Sequence, residues 1–175
     1  NKQNIFKFKF PNKYNETNFY VNSTNIEAYN GLFLEDNNSV FLIGPRKSGK
    51  SFLAKMWLNN NESLIYKKNL KEIISVKKNV IVEDIDNSIN QEDIFHIINH
   101  CNNNKLKILI SSSIKLNKID ITLPDLYSRL QLFKFLYIHQ PDDDMLLNIL
   151  TKLFIEKQFI INSFEIFDYI LNRAN

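Results

Sequence analysis

Glycine and proline are both scarce in this chain of 175 residues, at three and four occurrences, which argues against the low-complexity and disordered classes that these residues mark. A single cysteine, Cys101, excludes an internal disulfide framework. No apolar run approaches the ~20 residues of a membrane span, and no secretory leader is visible at the start, so the cytoplasm is the expected compartment and no membrane partner is expected. Neither sign of charge dominates: 22 Lys and Arg against 19 Asp and Glu leave +3, too little to point to a nucleic-acid partner from charge alone. What remains is 44% hydrophobic and 23% charged, enough apolar material for one sizeable core.

The scarcity of glycine sharpens the main signal. Two of the three glycines, Gly44 and Gly49, fall inside the stretch GPRKSGKS over residues 44–51, which matches the eight-residue phosphate-binding loop. In such a loop small residues let successive backbone N–H groups face phosphate oxygens, and the helix that follows adds its positive end. Lys50 supplies a cation to the terminal phosphates, the Ser51 hydroxyl is placed to ligate Mg²⁺, and Ser48 and Phe52 flank them in the candidate nucleotide site. Arg46 and Lys47 vary in the motif; they read as solvent-facing or as extra phosphate contacts. An ordinary turn would explain the two glycines alone, but not the Lys50-Ser51 pair that follows.

The surroundings have the required shape. SVFLI over residues 39–43 is a short apolar run ending at the loop, and residues 51–58 have helical character, with Phe52, Leu53 and Met56 on one side. Further strands are expected over residues 63–66, 79–83, 105–111 and 133–138, with helical periodicity over 92–101 and 142–157. Five strands alternating with helices predict an α/β fold, a parallel sheet covered on both faces. Pro11, Pro45, Pro124 and Pro141 fall at loops or helix starts. The run Val80, Ile81, Val82, Glu83, Asp84 is an apolar strand ending in acid, the pattern that supplies a carboxylate to a phosphate-bound metal. Glu83 is the candidate metal-side carboxylate and Asp84 the candidate base, against the plainer alternative of a solvated acidic strand end. Asp86 reads as a turn or capping residue. His96, His100 and His139 lack metal-ligand partners.

Together with the upstream segment Asn18, Phe19, Tyr20, Val21 and Asn25, the downstream segment LPDLYSRL over 123–130 narrows the pattern further. The chain resembles the DnaA group of AAA+ ATPases, which initiate replication, and within it the short Hda-type regulators. The resemblance implies a P-loop NTPase of AAA+ type, a three-layer sandwich with a five-stranded parallel sheet and the beginning of a helical lid. It divides the chain into an N-terminal arm over 1–22, a nucleotide-binding core over 23–139 and a partial lid over 140–175. It implies ATP or ADP with Mg²⁺ as ligands, Tyr20 and Val21 near the adenine, a polar sensor at Ser111 or Ser112, and Arg129 as an arginine finger reaching the nucleotide of a neighbouring subunit.

Partners follow from the same resemblance: the initiator DnaA, whose ATP hydrolysis such a regulator promotes and whose firing it thereby restrains, and a homo-oligomer. The alternative is a helicase loader or a truncated initiator. Gln3, Asn4, Ile5, Phe6, Lys7 and Phe8 look like the short peptides that dock on the replicative sliding clamp, or else form an N-terminal strand, since Phe6, Phe8 and Phe10 alternate. Two departures carry expectations. The acidic strand ends Glu-Asp where the family usually has Asp-Asp or Asp-Glu, so intrinsic hydrolysis is expected to be slow. No second-sensor arginine is identifiable in the lid helix begun over 164–173, and no helix-turn-helix domain follows, so sequence-specific DNA binding is not expected.

Overall fold

A computed structural model of the protein describes residues 18–87 and 90–158. Among the described residues there are five strands: β1 Ser39–Ile43, β2 Ser63–Ile65, β3 Asn79–Val82, β4 Ile108–Ser112 and β5 Lys134–Tyr137. They form one sheet in the order β2-β3-β4-β1-β5, every neighbouring pair parallel. The helices are α1 Ile26–Phe33, α2 Lys50–Asn60, α3 Leu70–Ile74, α4 Gln91–Asn104, α5 Pro124–Leu130 and α6 Asp143–Glu156.

The strands read as unbroken apolar runs because both faces of the sheet are covered. Alternate residues of each strand serve opposite cores. Phe41, Ile43, Val80, Val82, Ile108 and Ile110 pack with Ile73 of α3, Ile94, Ile97 and Ile98 of α4, and Leu126 and Leu130 of α5. Their neighbours Val40, Leu42, Ile81, Leu109 and Leu136 pack with Ala28 and Leu32 of α1 and with Leu53, Ala54, Met56 and Trp57 of α2. The result is the three-layer α/β sandwich expected from the pattern.

Boundaries shift where turn geometry overrides apolarity. The strand expected from residue 105 begins at Ile108, because α4 runs on to Asn104 and Lys105 closes it in the left-handed region at φ 54°. Tyr66 lies beyond β2 with its side chain buried, its hydroxyl donating to Asp93 of α4. Helices α1 and α3 were not anticipated; both are short, and α3 spans five residues. Pro124 sits at the first turn of α5, while Pro45 and Pro141 lie in loops.

The chain leaves β5 directly into α6, whose N-cap Asp142 accepts from Met145 N and from the Asn22 side chain at 2.9 Å. Asn148 and Lys152 of α6 also donate to Tyr20 Oη and Asn18 Oδ1, so the segment before α1 and α6 are laced together. The expected clamp peptide at Gln3 to Phe8, Pro11 and the lid helix over 164–173 lie outside the described residues. Among the described residues no helix is long and apolar enough to cross a membrane.

Candidate functional site

β1 delivers the chain at Ile43 to a loop whose backbone only particular residues can follow. Gly44 N donates to Ser112 O at 3.2 Å, pinning the loop to the end of β4. A Cβ on Gly44 would stand 2.8 Å from Ser48 Oγ and 2.9 Å from Ile138 O, so no side chain fits there. Lys47 at φ 64° and Gly49 at φ 99° turn the backbone left-handed before α2 begins, a conformation that Gly adopts without the Cβ penalty. The N–H groups of Phe52 and Leu53 donate to Gly49 O, leaving the earlier N–H groups of loop and helix without an intrahelical acceptor. Such a loop opening onto a helix N-terminus is built to receive an anion.

Lys50 is the chemical centre of this cradle. It is 6% exposed, and its Nζ donates to Gly44 O at 2.6 Å and Pro45 O at 2.9 Å. Burial lowers its pKa from the usual 10.5, Asp84 and Asp86 oppose that shift, and Arg46 adds to it. A desolvated cation with two acids facing it is poised for phosphate oxygens. Beside it, Ser48 is buried and its Oγ has no hydrogen-bond partner, an orphan polar atom in the loop itself.

In front of the loop lies a cleft of about 490 Å³, walled by Arg46, Lys47, Lys50, Ser51 and Phe52 on one side and by Asp84, Asn87 and Ser113 on the other. Arg46 and Lys47 are both exposed and both line this cleft. A larger cavity of about 590 Å³ adjoins it, sharing Ser113. We place the phosphate chemistry in the smaller cleft, since it holds Lys50 and Ser51.

The acidic end of β3 is tied to the end of β4. Asp84, itself at φ 50°, donates its N–H to Ser111 Oγ at 3.0 Å, and Ile85 N donates to Ser111 O at 2.9 Å. Asp86 Oδ1 accepts from Ser113 N at 3.0 Å. Asp84 therefore reaches the cleft, whereas Glu83, half-buried at the strand end, is not among its lining residues. The hydroxyls of Ser111 and Ser112 are used within the loops: Ser112 Oγ donates to Ile114 O at 2.7 Å and accepts from Ile114 N at 3.1 Å. Of the three serines at the end of β4, the one that lines the cleft is Ser113, which the sequence does not single out. Asp86, read from the sequence as a turn or capping residue, lies in the turn after β3 and ties it to the turn after β4.

Upstream, Phe19 lies 5.4 Å from the Phe52 ring and 6.2 Å from Tyr29, so this segment crosses the start of α2. Asn25 is fully buried and donates to Tyr20 O at 2.9 Å, fixing the bend that holds Tyr20 and Val21. Arg129 stands apart from the cleft, its guanidinium 5.0 Å above the Phe95 ring of α4.

The residues present fit a nucleoside polyphosphate: the loop offers N–H groups and a buried cation, and no side chain would fit at Gly44. They also fit Mg²⁺ held jointly with phosphates, since Ser51 and Asp84 share the cleft. Among the described residues no group of three or more His, Cys, Asp or Glu could hold a metal by itself.

No family model matches the chain, and no curated protein matches its sequence. Solved structures do resemble it. AMPPCP-bound DnaA from Aquifex aeolicus superposes with a TM-score of 0.74 at 21% identity, covering 94% of this chain and 61% of that one. Domain III of the replication initiation protein DnaA from Thermotoga maritima gives 0.76 at 18% identity, covering 90% and 79%. A DnaA structure with AMPPCP and single-stranded DNA gives 0.75 at 21% identity, covering 94% and 60%. The fold is that of the DnaA AAA+ domain, and the chain spans about three fifths of the Aquifex aeolicus protein's length.

Proposed function

We propose that this chain is an adenine-nucleotide-binding AAA+ module of DNA replication initiation, and that it acts as an Hda-type regulator by promoting ATP hydrolysis on the initiator DnaA through Arg129. The observation that carries the nucleotide reading is Lys50, buried in a left-handed loop at the start of α2 and opposed by Asp84 and Asp86. In this reading the loop N–H groups and Lys50 hold the phosphates of ATP or ADP, and Ser51 with Asp84 or Glu83 holds Mg²⁺. Mg²⁺ held there would supply charge neutralisation to the phosphates. Ser113 and the loops held by Ser111 and Ser112 line the far side. Tyr20 and Val21 flank the base. The two DnaA structures with AMPPCP are in keeping with this assignment for their own chains.

Action on a partner's nucleotide is favoured by where Arg129 sits. It is remote from its own cleft, and among the described residues no acceptor takes a hydrogen bond from its guanidinium. The contact with the Phe95 ring is made through the cation's charge and uses up none of its N–H donors, which are left for phosphate oxygens. A homo-oligomer or a mixed assembly with DnaA would use this surface. Docking on the sliding clamp through Gln3 to Phe8 belongs to the same proposal.

The test is phosphate release from ATP-loaded DnaA mixed with this protein. Wild type should accelerate it, and Arg129→Ala should lose the acceleration by on the order of 10³-fold, as fingers supplied in trans do. The same variant should melt within about 8 °C of wild type, since a half-buried cation–π contact contributes only ~0.5–2 kcal/mol. Retained acceleration by a destabilised Arg129→Ala would make Arg129 a structural residue and remove the regulator reading.

A further inference from the structure

We infer that Gln91 and Phe95, one turn apart on α4, are positioning residues that together hold α5 and aim Arg129 at the nucleotide of a neighbouring subunit. The inference rests on the reading of Arg129 given above and adds to it the residues that make the arginine effective. Helix α5 is seven residues long, and its N-cap position is Leu123, whose side chain offers no acceptor. So short a helix does not fix its own direction. Leu126 and Leu130 anchor its inner face in the core, which sets its depth.

Gln91 supplies the remaining constraint from a neighbouring helix. Its Oε1 accepts from Thr122 N at 2.9 Å, from Thr122 Oγ1 at 3.2 Å and from Leu123 N at 3.2 Å, while its Nε2 donates to Asp120 O at 2.8 Å. Two backbone donors meet the oxygen and a backbone carbonyl meets the nitrogen, so the amide has one orientation. A single side chain thus binds both sides of the segment that leads into α5, across 29 to 32 residues of sequence. Four residues further along the same face of α4, Phe95 carries the Arg129 guanidinium at 5.0 Å. One contact holds the entrance of α5 and the other holds the arginine near its end.

This arrangement has a functional consequence that simple loop anchoring does not. A displacement of about 1 Å in a transition-state contact can cost on the order of 10²-fold in rate. Loosening either contact should therefore lower the maximal stimulation of the partner's hydrolysis while leaving this chain's own nucleotide binding intact. Neither residue lines the cleft.

The experiment measures phosphate release from ATP-loaded DnaA against increasing concentrations of the full chain, for Gln91→Leu, Gln91→Glu, Phe95→Leu, Phe95→Tyr and Arg129→Ala, alongside ADP affinity and melting temperature. Gln91→Leu and Phe95→Leu should lower the plateau by at least about tenfold, with half-saturating concentration and ADP affinity within about threefold of wild type. Gln91→Glu keeps the three acceptor contacts and Phe95→Tyr keeps an aromatic face, so each should recover most of the plateau. Should Gln91→Leu fail to fold, the pair Phe95→Leu and Phe95→Tyr decides alone. A wild-type plateau for the folded leucine variants, with Arg129→Ala inactive, overturns the positioning inference and spares the arginine. A wild-type plateau for Arg129→Ala overturns the reading of Arg129 on which it rests.

Discussion

At Lys50 two physical demands oppose each other. Burial penalises the ammonium, while Asp84 and Asp86 and any bound phosphate favour it. Because the folded-state pKa is lowered, the folded protein holds fewer protons than the unfolded chain in the window between that pKa and 10.5. The cost of the buried charge is therefore fully present below the window and is relieved as pH rises through it. Phosphates reverse the preference, so binding takes up a proton there. Nucleotide affinity should fall as pH climbs into this window, and calorimetry in buffers of different ionisation enthalpy should register the proton uptake; a pH-independent affinity would contradict it. At the neighbouring acids, Asp84→Asn should weaken Mg²⁺-dependent ATP binding by at least about tenfold, the size of one lost charge-assisted contact, because Asp84 lines the cleft. Glu83→Gln should do less. The reverse order, measured by titrating Mg²⁺ into each variant, would return the metal to Glu83. The eight-residue loop was legible in the sequence residue by residue. Ser113 was not, because its place depends on how the turn after β3 meets the turn after β4, 27 residues away.

Elements were legible to the extent that one force dominated them. β1 was read to the residue because an apolar run ends at a glycine loop, and α4 was read from Ile94, Ile97 and Ile98 on one face. The start of β4 was misread because residues 105–107 are compatible with a strand until Lys105 is seen to take the left-handed conformation that ends α4. α1 and α3 escaped because short helices owe their stability to tertiary packing rather than to propensity. α4 matters most among these elements, as it carries Gln91 and Phe95. Its N-cap Asn90 accepts from Glu92 N at 3.0 Å and Asp93 N at 3.4 Å. Asn90→Ala should cost about 1 kcal/mol and lower the melting temperature by roughly 2–4 °C. An unchanged melting curve would show that packing alone sets where the helix begins.

For the molecule as a whole, the parallel sheet brings the carboxyl ends of β1, β3 and β4 together, and the phosphate loop, the acids and the serines all lie there. This is the crevice where open α/β sheets bind ligands. The order of strands was not legible from the sequence, since most strand residues are apolar on both faces and carry no sign of which neighbour they pair with. The reading of Arg129 rests on that resemblance and on its position away from its own cleft. All of this depends on the chain being a nucleotide-binding module, and isothermal titration of ADP with Mg²⁺ into the intact protein tests that most directly. The account predicts saturable one-to-one binding that Lys50→Ala weakens by at least about tenfold, since charge-assisted phosphate contacts are worth roughly 1.5–3 kcal/mol each. Equal affinities for wild type and Lys50→Ala, or no binding by a folded wild type, would contradict it.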